Sequence, residues 1–164
     1  MQKKFGRPAD RDEEAVGQLV RMHGQMLYRV CLVMLGNPHD AEDAVQETFL
    51  RFMTKGPDTK DAEHQKAWLI RTATNLCRNM RLFRLRHPHV DVEAVENLGA
   101  PAVCRDVYRE VLRLPANYRL VLLLYYVQGY RTEEIARILN ISPAAVRKRL
   151  QLGREKLRME WERE

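Results

Sequence analysis

Apolar residues recur every three to four positions through most of the chain, and alternating β-branched runs are scarce, which predicts an all-α protein. Residues 14–35 place Val16, Leu19, Val20, Leu27, Val30 and Cys31 at helical spacing, and Gly36-Asn37-Pro38 ends that helix. A second helix is predicted over about 40–53, capped by Asp40 or Asn37. Its apolar face is Ala41, Ala44, Val45, Thr48, Phe49 and Phe52; Asp40, Asp43, Gln46, Glu47 and Arg51 fall mostly off it. Residues 54–65 contain Gly56-Pro57 and read as a loop. Helix resumes over 66–83, with a core stripe of Trp68 or Leu69, Thr72, Ala73, Leu76 and Met80. Lys66, Arg71, Asn75, Arg78, Asn79 and Arg81 stay polar. Trp68 is assigned to the core.

The pattern breaks over 88–103, where Pro88, Gly99 and Pro101 sit among three acidic residues and no basic one. This divides the chain into two small helical domains, 10–86 and 104–162, joined by a short linker at 87–103. The second half predicts helices over 103–114 and 117–127, stopped by Pro115 and Gly129. Thr132 is placed as the cap of a helix over 133–139, Asn140 takes a left-handed turn, and Ser142-Pro143 starts a helix running past Leu157. A short helix, a tight turn and a longer helix make a helix-turn-helix. Ile135, Ala136, Leu139, Ile141, Val146 and Leu150 supply its core.

Charge turns this pattern toward nucleic acid. The chain carries 28 Lys and Arg against 22 Asp and Glu. The excess is local: residues 54–87 and 104–164 each carry net +5, while 1–53 carry −1 and 88–103 carry −3. From Pro143 to Arg158 there are six basic residues and one acid. A helix amino terminus fits the major groove, where Arg and Lys bond guanine edges and Gln bonds adenine. Val146 and Leu150 face the core, so Ser142, Ala144, Ala145, Arg147, Lys148, Gln151 and Arg154 are the candidates for duplex contact. Along 66–80, Lys66, Arg71, Asn75, Arg78 and Asn79 present cations and amides on one polar side, suited to single-stranded DNA.

Other chemistry is thinly represented. No glycine-rich phosphate loop, nucleophile elbow or metal-spaced cluster occurs, and His87 with His89 lacks a third ligand nearby. No catalytic, cofactor-binding or metal-binding residue is therefore assigned, and the chain is read as no enzyme. Cys31, Cys77 and Cys104 are far apart and read as buried free thiols, not a redox switch. The longest apolar run, 120–127, is too short to span a bilayer, so a cytoplasmic protein without membrane insertion is expected.

The two halves together resemble the extracytoplasmic-function (ECF) group of bacterial RNA polymerase sigma factors, in the sigma-70 family. The first block is Asp40-Ala-Glu-Asp-Ala-Val-Gln-Glu-Thr-Phe-Leu-Arg-Phe52, followed by Ala67-Trp-Leu-Ile-Arg-Thr-Ala-Thr-Asn-Leu76. The second comprises Leu114-Pro115, Arg119, Leu124, Gly129-Tyr130, Glu134-Ile-Ala136, Ile141-Ser142, Val146, Arg149-Leu150 and Gly153-Arg-Glu-Lys-Leu-Arg158. The resemblance implies a non-catalytic initiation subunit that binds core RNA polymerase and directs promoter-specific transcription initiation. It implies that Asp40, Asp43, Gln46, Glu47, Phe49 and Leu50 dock on the polymerase clamp. The 54–66 loop and the following helix would open and read the −10 element, and the helix-turn-helix would read the −35 element. A cognate anti-sigma factor, in many members membrane-anchored, is a further implied partner. The loop before Trp68 lacks the aromatic that many members carry, and Ala144-Ala145 replaces a commoner Gly-Thr pair.

Two other functions use parts of the same sequence. A stand-alone regulator would use the helix-turn-helix on duplex DNA but has no use for the 40–52 block beside the basic 54–87 region. A helical adaptor would bind proteins and show little DNA affinity.

Overall fold

The computed structural model describes residues 13–83 and 109–161, with side chains as far as Arg158. The linker at 87–103, the first part of the helix predicted over 103–114, Cys104, His87 and His89 lie outside the described residues.

Three long helices form the first cluster: α1 (Glu13–Leu35), α2 (Pro38–Lys55) and α3 (Ala62–Phe83). Asn37, not Asp40, caps α2: its side-chain oxygen accepts the Asp40 N–H at 3.0 Å, and Pro38 occupies the first turn. The helix runs two residues past its predicted end. α3 starts four residues earlier than its apolar pattern predicts, because the Asp61 carboxylate accepts the N–H groups of Glu63 (3.0 Å) and His64 (3.4 Å). Gln65 Nε2 donates to the Thr59 carbonyl at 2.6 Å and ties the preceding loop to that first turn.

Every pair of these helices packs together. Leu27, Val30, Cys31, Ala41, Ala44, Phe52, Leu69, Ile70, Ala73 and Cys77 are almost wholly enclosed. Trp68 is half-buried and meets the Phe52 ring edge-on, with centroids 5.5 Å apart, so it packs on the core. Cys31 and Cys77 are buried and share a side-chain hydrogen bond; that bond and then burial push the Cys31 thiol up from its ordinary value.

The second cluster contains the helical residues 109–113 (α4), α5 (Ala116–Leu122), α6 (Thr132–Leu139) and α7 (Pro143–Trp161). The helix predicted over 117–127 is not uniform. Beyond Leu122 it widens into a π-helical turn, Leu123–Val127, closed by Gln128 N–H donating to the Leu123 carbonyl at 3.0 Å. Leu123 and Leu124 stay buried, while Tyr125, Tyr126 and Val127 are turned outward.

Thr132 is the first residue of α6 rather than its cap. The Glu134 carboxylate reaches back to accept the Arg131 N–H at 2.7 Å, half of a capping box. Asn140 has φ 54° and ψ 50°, and Ile141 N–H donates to the Ala136 carbonyl at 3.0 Å, which ends α6 in a left-handed turn. Ser142 Oγ then accepts the Ala145 N–H at 3.1 Å and starts α7. The helix-turn-helix core is as predicted: Ile135, Ala136, Leu139, Val146 and Leu150 are buried, and Ile141 packs against them.

The clusters share one continuous core. α1 packs on α5 as well as on α2 and α3, and α3 packs on α6. This explains why Val30 to Met34 are buried at five consecutive positions, more than one face of a helix can supply.

Candidate nucleic-acid interface

The seven candidates for duplex contact cluster at the turn and along one side of α7. Ser142, Ala144, Arg147, Lys148, Gln151 and Arg154 are exposed and Ala145 is half-buried. Position 144 is three and four residues before 147 and 148, these are four and three before 151, and 151 is three before 154, so the five share one helical face. The opposite face carries Val146 and Leu150 into the core. Arg147 is held loosely, with Nη1 4.0 Å from a Glu133 carboxylate oxygen and both side chains mostly exposed. Gln151 Nε2 donates to Glu155 at 2.9 Å, and Arg154 Nη1 donates to the Tyr126 hydroxyl at 3.2 Å. These partners are replaceable by base edges or phosphates without uncovering core.

The second candidate set lies on α3, which places Arg71, Asn75, Arg78 and Asn79 at helical spacing. Asn75 and Asn79 are exposed and Arg78 is half-buried, with Nη1 3.5 Å from Asn75 Oδ1. Arg71 points toward the second cluster: its Nε donates to the Ile138 carbonyl at 3.1 Å and its Nη2 to the Arg137 carbonyl at 2.6 Å. Lys66 is half-buried, with Nζ 5.0 Å from the centroid of the Tyr130 ring. A cavity of about 710 Å³ separates the rest of α3 from the second cluster. Besides Arg71, Asn75 and Arg78, it is lined by Arg81, Asn117, Asn140 and Arg149. Sequence periodicity could not assign these four to one place, because they come from α3, α5, the turn and α7.

Arg119 on α5 is buried, with Nη1 donating to the Leu112 carbonyl at 3.1 Å. Burial first, and then the Arg81 charge, push its guanidinium down to about 10. It remains charged at neutral pH and acts as a carbonyl clip between α4 and α5.

The six candidates for polymerase docking divide. Asp43, Gln46 and Leu50 are exposed on α2, Leu50 at 57%, and Glu47 is half-buried and paired with Arg51 at 2.8 Å. Asp40 and Phe49 are only 5% and 7% exposed and face inward, so they shape α2 rather than offering a surface. Phe49 belongs to the apolar stripe, and Asp40 sits in the first turn of α2 behind its Asn37 cap. Met53, exposed three residues after Leu50, extends the outward apolar patch.

Comparison with known proteins agrees with these two clusters. Residues 19–86 match Sigma-70 region 2, and residues 104–157 match Sigma-70, region 4. The ECF RNA polymerase sigma factor SigW of Bacillus subtilis is 31% identical over 169 residues, covering 90% of this chain and 89% of the relative. SigM of Mycobacterium tuberculosis, another ECF sigma factor, is 28% identical over 151 residues, 89% of this chain and 76% of that one. Among solved structures, CnrH in complex with the cytosolic domain of CnrY superposes with a TM-score of 0.69 at 27% identity, covering 93% of this chain and 91% of that one. RpoE from Bartonella quintana, in complex with the anti-sigma factor NepR, shares the fold with a TM-score of 0.71 at 18% identity, covering 89% and 96%.

The fold and the paired region matches define a sigma-70 type transcription initiation factor. Within that class the chain belongs to the ECF RNA polymerase sigma factors, non-catalytic subunits that bind core polymerase and direct promoter recognition. No described helix is long and apolar enough to cross a membrane.

Proposed function

We propose that this sigma factor divides its work by surface. The outward side of α2, with Asp43, Gln46, Glu47 and Leu50, docks on core polymerase. Lys66, Arg71, Asn75, Arg78 and Asn79 on α3 engage the −10 element as single-stranded DNA. Ser142, Ala144, Ala145, Arg147, Lys148, Gln151 and Arg154 engage the −35 element as duplex.

The observation that carries this reading is the one-sided exposure of α7, whose basic face is open while Val146 and Leu150 lock the other side into the helix-turn-helix core. Phosphate contacts would set affinity and register, and Arg147, Lys148 and Gln151 are placed to reach base edges. The α2 surface mixes acids with Leu50 and Met53, a combination that DNA would repel and a protein can use. A cognate anti-sigma partner is part of the proposal, supported by the solved complexes of CnrH with CnrY and RpoE with NepR.

The test separates the surfaces. Gln46→Lys with Glu47→Lys should reduce assembly with core polymerase at least tenfold and leave binding to promoter duplex unchanged. Arg147→Ala with Gln151→Ala should do the reverse. Equal loss of both activities in both variants would refute the division of labour.

A further inference from the structure

We propose that the arginine-lined cavity walled by α3, α5 and the turn before α7 is a binding site for a small anionic ligand, a nucleotide carrying several phosphates. This is a ligand site in addition to the polymerase and promoter surfaces assigned above.

The cavity concentrates positive charge that nothing in it balances. Arg71, Arg78, Arg81 and Arg149 line it, and no carboxylate does. Among the described residues, no carboxylate is paired with any of the four. Arg71 is fixed by the neutral carbonyls of Arg137 and Ile138, and Arg78 lies 3.5 Å from the Asn75 amide oxygen, so both keep their charge. The excess is felt beyond the lining: the Arg81 charge adds to burial in pushing the Arg119 guanidinium down to about 10. Like charges gathered in this way repel one another, and a multivalent anion among them replaces repulsion with attraction. The planar fork of arginine bonds phosphate oxygens two at a time, in short charge-assisted hydrogen bonds.

The rest of the lining separates a nucleotide from a bare phosphate. Asn75, Asn117 and Asn140 bring side-chain amides, which both donate and accept and so match the mixed edge of a base or the hydroxyls of a ribose. Met34, Leu120, Leu139 and Ile141 add an apolar patch on which a base ring can lie. An inorganic anion has no use for either feature. The volume of about 710 Å³ falls within the roughly 300–1,000 Å³ of small-molecule sites. Asn75, Arg81, Asn117 and Asn140 are exposed, so a ligand enters from solvent without disturbing the core.

The four elements that build the site also explain why it is separate from the promoter surfaces. Arg81, Asn117, Asn140 and Arg149 are assigned to neither the −10 nor the −35 set, yet they meet Asn75 and Arg78 around one space.

Isothermal titration calorimetry of ATP into the full-length chain, at physiological ionic strength with no divalent cation added, tests the site. ATP should bind saturably, one per chain. Arg81→Ala with Arg149→Ala should weaken binding at least tenfold. Asn117→Asp, which puts a carboxylate in the lining at the start of α5, should weaken it at least fivefold. Lys55→Ala with Lys156→Ala removes the same charge from exposed positions outside the cavity and should change affinity less than twofold. Melting followed by circular dichroism checks that each variant is folded. Inorganic tripolyphosphate should bind at least fivefold more weakly than ATP. Equal losses in the two double variants, or ATP binding without a single saturable site, would overturn the site. Tripolyphosphate binding as tightly as ATP would overturn its assignment to a nucleotide. The titration contains neither polymerase nor DNA, so its failure leaves the polymerase and promoter assignments standing.

Discussion

Arg154 on α7 donates to the hydroxyl of Tyr126, 28 residues earlier, at 3.2 Å, so the proposed −35 helix is tied to the outward side of the π-helical turn. The π bulge is what brings that tyrosine within reach, since it turns Tyr125, Tyr126 and Val127 away from the core. On the proposed reading Arg154 is a phosphate contact, and Tyr126 holds it in position. Arg154→Ala should weaken promoter duplex binding about equally for all sequences and lower the slope of log affinity against log salt by about 0.9. Tyr126→Phe should keep that slope and cost less than about threefold in affinity, because an exposed hydrogen bond contributes little. Fluorescence anisotropy titrations at several salt concentrations check both.

Asn140 sits at φ 54° between α6 and α7. Asn tolerates this region, Gly adopts it freely, and an alanine Cβ clashes there. Asn140→Ala should lower stability by about 1 kcal/mol, while Asn140→Gly should stay within about 0.5 kcal/mol of the parent. Urea unfolding followed by circular dichroism distinguishes the two.

Gly153 faces α5, and a Cβ there would stand 3.0 Å from Leu122 Cδ1 and 3.3 Å from Leu122 Cγ. A single methyl asks Leu122 to shift; a branched side chain has nowhere to go. Gly153→Leu should destabilise the α5–α7 contact by about 1–3 kcal/mol. The melting temperature should fall by roughly 2–4 °C for each kcal/mol.

His23 is buried on α1. Burial chiefly, and then the Lys66 charge, hold its imidazole below the ordinary value of 6.5, while Glu63 pulls the other way. The unfolded chain therefore binds the proton first as acid is added. The associated stability is complete above about pH 6.5 and is lost as pH falls through the lower folded value. His23→Gln should make the stability change between about pH 7.5 and pH 5.5 smaller than in the parent. Urea midpoints at the two pH values give the comparison.

Much of the helix-turn-helix is legible from short-range chemistry. Asn140, Ser142 and the six core positions each follow from a local rule, and the structure repeats them. The misplaced helix starts have local causes too. Thr132 looks like a cap until Glu134 takes the Arg131 N–H, and Asp61 starts α3 before any apolar residue of the stripe appears. What stays hidden is non-local. Leu32, Val33 and Met34 are buried because α1 meets α5 as well as α2 and α3, and a one-sided periodicity cannot announce a second partner. For the same reason nothing in the polar face of α3 distinguishes Arg71, which crosses to α6, from Asn75 and Asn79, which remain exposed. The inward Asp40 and Phe49 were obscured by a motif that names positions without saying which side of the helix faces out.

This chain is an initiation subunit that brings core polymerase to particular promoters. Run-off transcription with bacterial core polymerase, with and without the protein, on a broad library of promoter-bearing genomic fragments reads it directly. New start sites should appear only with the protein, preceded by shared −35 and −10 sequences, and should be lost in the Arg147→Ala, Gln151→Ala double variant. Sequence-specific duplex binding with no new starts, from a core enzyme that responds to another sigma factor in the same assay, would contradict it.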